Sequence, residues 1–297
     1  VKPRFAETGS GRLAFEIFGN PRAARKALFF HGHPGSRVQG ALIDEAARIA
    51  GFAVAAFDRP GFGHSDLFKA APGNPLDLSE ALLALADELG WKEFHLIAVS
   101  GGAPYALNSL AGLGPRALSA TLICGLGPLA ETEIRRAFPR GAYRALRIAA
   151  LLPEPVLSLA VKIVLRSLQR RGTSAGRGTM AFLSERDRAL LRGAQAGKAL
   201  KASLEGAFRQ GAKGAQRDQR AYLTPWKINL SKLPCPVTFW HGEDDRLVPS
   251  STSEWLAKRI PGSRLHLLKS EGHYTLPLTR STEILQNLAR EADGLHT

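Results

Sequence analysis

Residues 94–103 read Phe-His-Leu-Ile-Ala-Val-Ser-Gly-Gly-Ala, an apolar, β-prone run that ends abruptly at Ser100 among small residues and then turns helical. A serine at such a strand-to-helix turn stands clear at its apex, where its hydroxyl can act as a nucleophile. A hydroxyl attacks poorly until a base takes its proton, so this chemistry also requires a histidine and an acid that orients it. Both types occur downstream, each just past an apolar run. Residues 237–240, Val-Thr-Phe-Trp, empty into His241-Gly242-Glu243-Asp244-Asp245, and residues 265–268, Leu-His-Leu-Leu, into Lys269-Ser270-Glu271-Gly272-His273. Positions beyond the C-terminal ends of strands are where a parallel sheet displays its chemistry. In the roles this implies, His273 takes the Ser100 proton and later returns one to the leaving group, while an ionised aspartate fixes the ring and steadies the imidazolium.

These groups need a scaffold, and the rest of the chain supplies one. Strands are expected near 28–30, 53–57, 95–99, 120–123, 237–240 and 265–268, after an N-terminal hairpin with residues 12–18 as one arm and Gly9-Ser10-Gly11 as its turn. Leu78, Leu82, Leu85 and Leu89 repeat at helical spacing, with Asp77 and Glu80 as a capping pair, and a later helix opens with Ser251 and Glu254 in the same relation. Strands alternating with helices predict a mostly parallel sheet covered on both faces. The alternation stops over residues 129–232, where Ala/Leu/Arg-rich helical patterns are interrupted by turns at 153–155 and 172–178.

With these motifs in place, the chain resembles the α/β-hydrolase family, of the capped serine-esterase type, over nearly its whole length. The resemblance implies an eight-stranded, mostly parallel sheet flanked by helices, with residues 1–128 and 233–297 as the core and 129–232 as an inserted helical cap. The family's acid lies three residues after the Gly of a His-Gly pair, which selects Asp245 over Asp244 and Glu243. His31-Gly32-His33-Pro34-Gly35 is similar to the family's oxyanion segment and assigns the oxyanion-holding N–H groups to His33 and Gly101. The His33 side chain either lines the pocket or is a bystander to its own amide. Asp58-Arg59-Pro60-Gly61-Phe62-Gly63-His64-Ser65 matches a structural turn of the family, with Asp58 and Asp66 in structural ion pairs. Ala98 departs from the glycine that usually precedes the nucleophile by two.

The implied activity is hydrolysis of carboxylic esters through an acyl-enzyme on Ser100, with no cofactor and no metal. A serine nucleophile argues against the dehalogenase and epoxide-hydrolase chemistry that this fold runs with aspartate. C–C bond hydrolysis of β-diketones or ring-cleavage products uses the same three residues and stands as the alternative. A non-catalytic small-molecule binder is the contrasting class.

At 297 residues, 44% hydrophobic and 22% charged, the chain can bury a substantial core. Its most apolar stretch, 148–165, contains Pro153, Glu154, Pro155 and Lys162, so it is not a transmembrane helix. The same prolines interrupt the pattern of a membrane-surface helix over 149–168. No signal-like N-terminal run is visible and Cys124 and Cys235 read as packed thiols, so a cytoplasmic location is expected. The net charge is +14, and all of it lies in 129–232, which holds 21 Lys and Arg against 7 Asp and Glu. That charge reads either as solvated helix faces or as attraction for an anionic substrate or an acidic acyl-carrier protein. No nucleic-acid module is recognisable, so nucleic acid is not an expected partner.

Overall fold

A computed structural model describes residues 2–68, 73–171 and 183–294. Strands β1 (Arg4–Thr8) and β2 (Gly11–Gly19) form the hairpin, with Thr8 opposite Gly11. Its turn is the pair Gly9-Ser10 alone, because Gly11, at φ 145°, already pairs in the ladder. Next come β3 (Arg25–Phe30), β4 (Phe52–Phe57), β5 (Phe94–Val99), β6 (Ala117–Ile123), β7 (Val237–Gly242) and β8 (Arg264–Leu268). The sheet order is β1-β2-β4-β3-β5-β6-β7-β8, parallel from β4 onward, with β1 and β2 joined antiparallel at one edge. The eight-stranded, mostly parallel sheet is thus the architecture the motifs imply.

The helices among the described residues are α1 (Asp44–Ile49), α2 (Ser79–Glu88), α3 (Ala103–Leu113), α4 (Thr132–Ala137), α5 (Arg140–Leu151) and α6 (Glu154–Arg171), then α7 (Glu185–Arg192), α8 (Ala194–Ala207), α9 (Lys213–Tyr222), α10 (Ser251–Ala257), α11 (Thr275–Thr279) and α12 (Ser281–Ala292). Strands buried on both faces read as unbroken apolar runs, as does Phe-Ala-Val-Ala-Ala-Phe in β4. Successive side chains then serve opposite faces. Leu28 and Phe30 pack into one core with Leu82 and Leu85 of α2 and Leu107 of α3. Ala27 and Phe29 pack into the other with Ala47 of α1 and Ile284 and Leu288 of α12.

Two expected caps form differently. Asp77 Oδ1 accepts the Ser79 N–H at 2.8 Å, so the carboxylate is used two residues on and makes no reciprocal pair with Glu80. Ser250, already helical at φ −56°, starts α10, and no side chain caps that end, so Ser251 and Glu254 do not form a box.

The described part of 129–232 contains α4 to α9 and no strand. The turn expected at 172–178 lies outside the described residues. This helical segment sits tightly on the sheet's C-terminal loops. The Ser36 N–H donates to Ser203 Oγ at 3.0 Å, and Gln210 Nε2 reaches the carbonyls of Gly63 and Ser65 at 3.0 and 2.9 Å. Backbone meets backbone at Gly214, where an added Cβ would lie 2.6 Å from the Gly61 carbonyl carbon and 2.9 Å from the Phe62 ring. Gly214→Ala is therefore expected to push α9 off the β4 turn and destabilise the fold by about 1–3 kcal/mol, read as a fall in Tm with the helical content retained.

Candidate active site

The β5 run ends at Ser100, whose φ of 53° lies in the left-handed region. A non-glycine residue held there stores about 1–3 kcal/mol and persists only where its surroundings over-determine it. They do so here. The Ser100 carbonyl accepts the Leu126 N–H at 3.0 Å, and the following turn leaves no room for side chains, since a Cβ on Gly102 would lie 2.5 Å from the Phe30 carbonyl. Ala98, where a glycine is usual, is fully buried, and its methyl is absorbed into the core beside Ala103.

The structure brings Ser100, His273 and Asp245 into one hydrogen-bonded line. His273 Nε2 is 3.0 Å from Ser100 Oγ, and Nδ1 is 2.7 Å from Asp245 Oδ2. Burial and two histidines act on the Asp245 carboxyl. Burial favours the neutral acid, but the charge of His273 and hydrogen bonds from His241 and His273 outweigh it, and the pKa falls well below the usual range. An ionised carboxylate only accepts, so Nδ1 carries the His273 proton and Nε2 is left to accept from the serine. Burial lowers the His273 pKa, while the charge and hydrogen bond of Asp245, with a further push from Asp187, raise it on balance. Asp245 Oδ1 is fixed by the N–H groups of Leu247 and Val248, each at 2.9 Å. Its neighbours Glu243 and Asp244 point into solvent.

The loop carrying His273 is gripped from the helical segment. Asp187 of α7 is fully buried, and its carboxylate accepts the N–H groups of His273 (2.9 Å), Tyr274 (2.9 Å) and Thr275 (2.8 Å) at the start of α11. Gly272 makes the approach possible, since a Cβ there would lie 2.2 Å from Asp187 Oδ2.

A second buried carboxylate from the same segment lies behind the expected oxyanion segment. Asp218 of α9 takes Arg59 Nη2 at 2.7 Å and Nε at 3.2 Å, the Tyr105 hydroxyl at 2.6 Å and His33 Nδ1 at 3.1 Å. Burial opposes its ionisation, but the Arg59 charge and the His33 and Tyr105 hydrogen bonds hold its pKa far down. The Tyr222 hydroxyl, 2.7 Å from the Gly101 carbonyl and 3.1 Å from Asp218 Oδ2, links this cluster to the serine turn. The His33 ring is thus committed to Asp218. Its backbone flanks the serine turn, since a Cβ on Gly101 would lie 2.6 Å from the His33 Cβ, and one on Gly32 would lie 3.6 Å from the Ser100 Cβ.

Other candidates serve as supports. His31 Nδ1 lies 2.8 Å from the Gly32 carbonyl while Nε2 accepts the Arg59 N–H at 3.2 Å, and burial, reinforced by the Arg59 charge, drives its pKa well down. His241 bonds Ser253 Oγ and the Val248 carbonyl at 2.7 and 2.8 Å. Asp58 pairs with buried Arg37 at 2.7 Å, and Asp66 pairs with Arg12 at the surface. Cys124, His241 and Asp245 offer ligand atoms within 4.8 Å of one another. Burial and the nearby Asp245 push the Cys124 thiol up, and both His241 nitrogens are already engaged, so the trio does not fit a metal-ligand set.

A family model described as alpha/beta hydrolase fold matches residues 28–278. The chain belongs to the alpha/beta hydrolase fold family. Within the family it is similar to 2-hydroxy-6-oxo-6-phenylhexa-2,4-dienoate hydrolase of Comamonas testosteroni, at 26% identity over 91% of this chain and 84% of that protein. It is also similar to pimeloyl-[acyl-carrier protein] methyl ester esterase of Aromatoleum aromaticum, at 40% identity over 50 residues, 17% of this chain and 20% of that one. Its fold is like that of a thermophilic esterase from Thermogutta terrifontis, with a TM-score of 0.72 at 18% identity over 100% of both chains. Against most of the curated relatives it matches, the chain spans only 12% to 38% of their length.

Asp187 and Asp218 are the site neighbours that motif reading passes over. One signal was present, because Ser184-x-x-Asp187 has the spacing of a helix cap, and Ser184 Oγ does accept the Asp187 N–H at 3.1 Å. Asp218 has no local signature, since apart from Tyr222 one turn on its partners lie 113 to 185 residues away. Asp218→Ala strands the charge of fully buried Arg59 and is expected to cost about 3–5 kcal/mol. Asp187→Ala leaves three buried donors unmet, at about 1 kcal/mol or more each. Urea unfolding curves of the two variants check both figures.

Proposed function

We propose that this alpha/beta hydrolase cleaves carboxylic esters through an acyl-enzyme on Ser100. The observation that carries the proposal is the unbroken line from Ser100 Oγ through His273 to an ionised Asp245, ending on a serine held in a strained conformation at the tip of β5. Ser100 Oγ attacks the ester carbonyl as its proton passes to His273 Nε2, and the imidazolium is steadied by Asp245. The negative charge on the carbonyl oxygen falls to the N–H groups of His33 and Gly101, each such donor contributing about 3–4 kcal/mol to the transition state. Collapse expels the alcohol, which takes the proton from Nε2. Water, activated by the same nitrogen, then releases the acid and frees the serine. No cofactor or metal enters this scheme.

In the same reading, residues 129–232 form a cap over a core made of 1–128 and 233–297, excluding water and shaping the pocket. The excess positive charge of that segment favours anionic acyl substrates, and the relative that acts on a pimeloyl-carrier ester makes an acidic acyl-carrier protein the partner to test. The dienoate hydrolase that matches 91% of the chain supports a second reading, C–C bond hydrolysis by the same three residues.

Wild type on p-nitrophenyl esters is expected to show a burst followed by turnover, both reduced by about 10⁴-fold or more in Ser100→Ala. Faster cleavage of a 2-hydroxy-6-oxo-dienoate than of any simple ester would favour the second reading. Catalysis needs neutral His273, and its pKa is raised in the folded protein. The acid limb of kcat/KM is therefore expected to have its midpoint above the ordinary histidine value near 6.5, with activity lost below it. Asp245→Asn removes the raising charge and should move that limb to lower pH while depressing kcat by about 10⁴-fold.

A further inference from the structure

The outer side of α5 and α6 combines apolar exposure with positive charge. Of the nine large hydrophobic side chains exposed among the described residues, five fall between positions 148 and 163. Leu151 is 78% exposed, and Ile148, Val156, Leu159 and Ile163 are each about half exposed or more. Their spacing groups them: 148 and 151 share a face of α5, and 156, 159 and 163 share a face of α6. The prolines divide this pattern between two helices and leave each of them intact. Pro153 lies in the connection, and Pro155 falls in the first turn of α6, where a missing N–H costs nothing, so α6 runs unbroken from Glu154 to Arg171.

Charge surrounds the apolar positions. Residues 140–171 hold seven Arg and Lys against one acid, Glu154. The Glu154 carboxylate is occupied inward, accepting the Ser158 hydroxyl at 2.5 Å and the Ala212 N–H at 3.2 Å. Arg140, Arg144, Arg147, Lys162 and Arg166 are all exposed. Arg140, Arg144 and Arg147 precede the apolar pair of α5, and Lys162 and Arg166 bracket Ile163 in α6, so cations stand on both arms with the aliphatic side chains on either side of the α5–α6 connection. Beside Leu151 lies a recess of about 440 Å³ lined by Arg147, Arg220, Ala150 and Leu223.

We propose that this face docks on an anionic lipid surface, with the aliphatic side chains entering the headgroup–acyl boundary and the arginines and lysines meeting lipid phosphates. A helix face that is aliphatic at its centre and cationic at its flanks is the pattern of interfacial helices, and long basic side chains reach outward from such a face to the headgroups. A second copy of the chain is a poor occupant, because it would bring two segments of like charge together. A protein partner is less suited, since the five exposed positions carry no aromatic side chain of the kind that anchors protein interfaces. The docking stands apart from the ester-cleaving reading, because it is measured without turnover.

The test is co-sedimentation of the full chain with vesicles of equimolar phosphatidylglycerol and phosphatidylcholine, beside phosphatidylcholine alone. Binding to the mixed vesicles is expected to be at least about tenfold tighter than to phosphatidylcholine and to weaken with salt. The pair Leu151→Glu/Leu159→Glu should lower it about tenfold or more at unchanged Tm, and Arg144→Glu/Arg147→Glu should remove its salt dependence. No binding to the mixed vesicles, or equal binding by the Leu variant, would overturn the proposal. So would a wild-type dimer in the ultracentrifuge that the Leu variant dissolves. Retention on an immobilised acidic carrier protein without vesicle binding, abolished by the same variant, would assign the face to a protein instead.

Discussion

Asp218 is fully buried and ionised, a state that costs several kcal/mol unless every lone pair is answered. Arg59, itself without solvent exposure, answers it from the turn after β4 and also donates to the carbonyls of His31 and Gly32 at the end of β3. Tyr105 answers from α3 and His33 from the loop after β3, while Tyr222 adds a link to the Gly101 carbonyl. One carboxylate therefore sets the mutual position of the three chain segments that meet around Ser100. With a neutral side chain at 218, the Arg59 charge would have no counterpart, and the two strand ends would lose their common reference.

The electrostatics at the other end of the site follow the same logic with a different outcome. Asp245, like Asp218, is held well below the usual carboxylate range, but its principal partner can change charge. Arg59 is a permanent cation, which makes its pair structural, whereas His273, an imidazole whose pKa is raised by Asp245, can gain or release a proton at Nε2. The difference between a brace and a relay is thus the identity of the base facing each buried carboxylate.

The strands were legible because a sheet covered on both faces demands uninterrupted apolar runs, as at 52–57 and 94–99; Ser-Gly-Gly by itself is an ordinary turn, and Ser100 stood out only because an acid and a histidine follow it at later strand ends. Strand ends pointed to His273 and to the acids at 243–245, and the family resemblance was needed to single out Asp245. What escaped the reading was either local competition or long-range pairing. Asp77 had a nearer N–H than the one its spacing with Glu80 suggested. Asp187 and Asp218 look like any acids in a basic, helical stretch, and their partners outside their own helices lie 86 to 185 residues away. The interruption expected at 153–155 falls where α5 gives way to α6, and Pro155, in the first turn of α6, leaves that helix intact.

The two fully buried carboxylates among the described residues of the helical segment belong to α7 and α9, one holding the loop of His273 and the other holding the turns after β3 and β4. Neither helix can lift away without exposing an unpaired charge or three open amides. The acid of α4, Glu133, is exposed, α5 has none, and Glu154 of α6 accepts from Ser158 of its own helix and from the Ala212 N–H ahead of α9, so none of the three reaches the strand ends. The α5 and α6 helices in turn hang on α9, through Arg220 Nε to the Ala150 carbonyl and the Ala212 N–H to Glu154, so whatever loosens α9 loosens them with it.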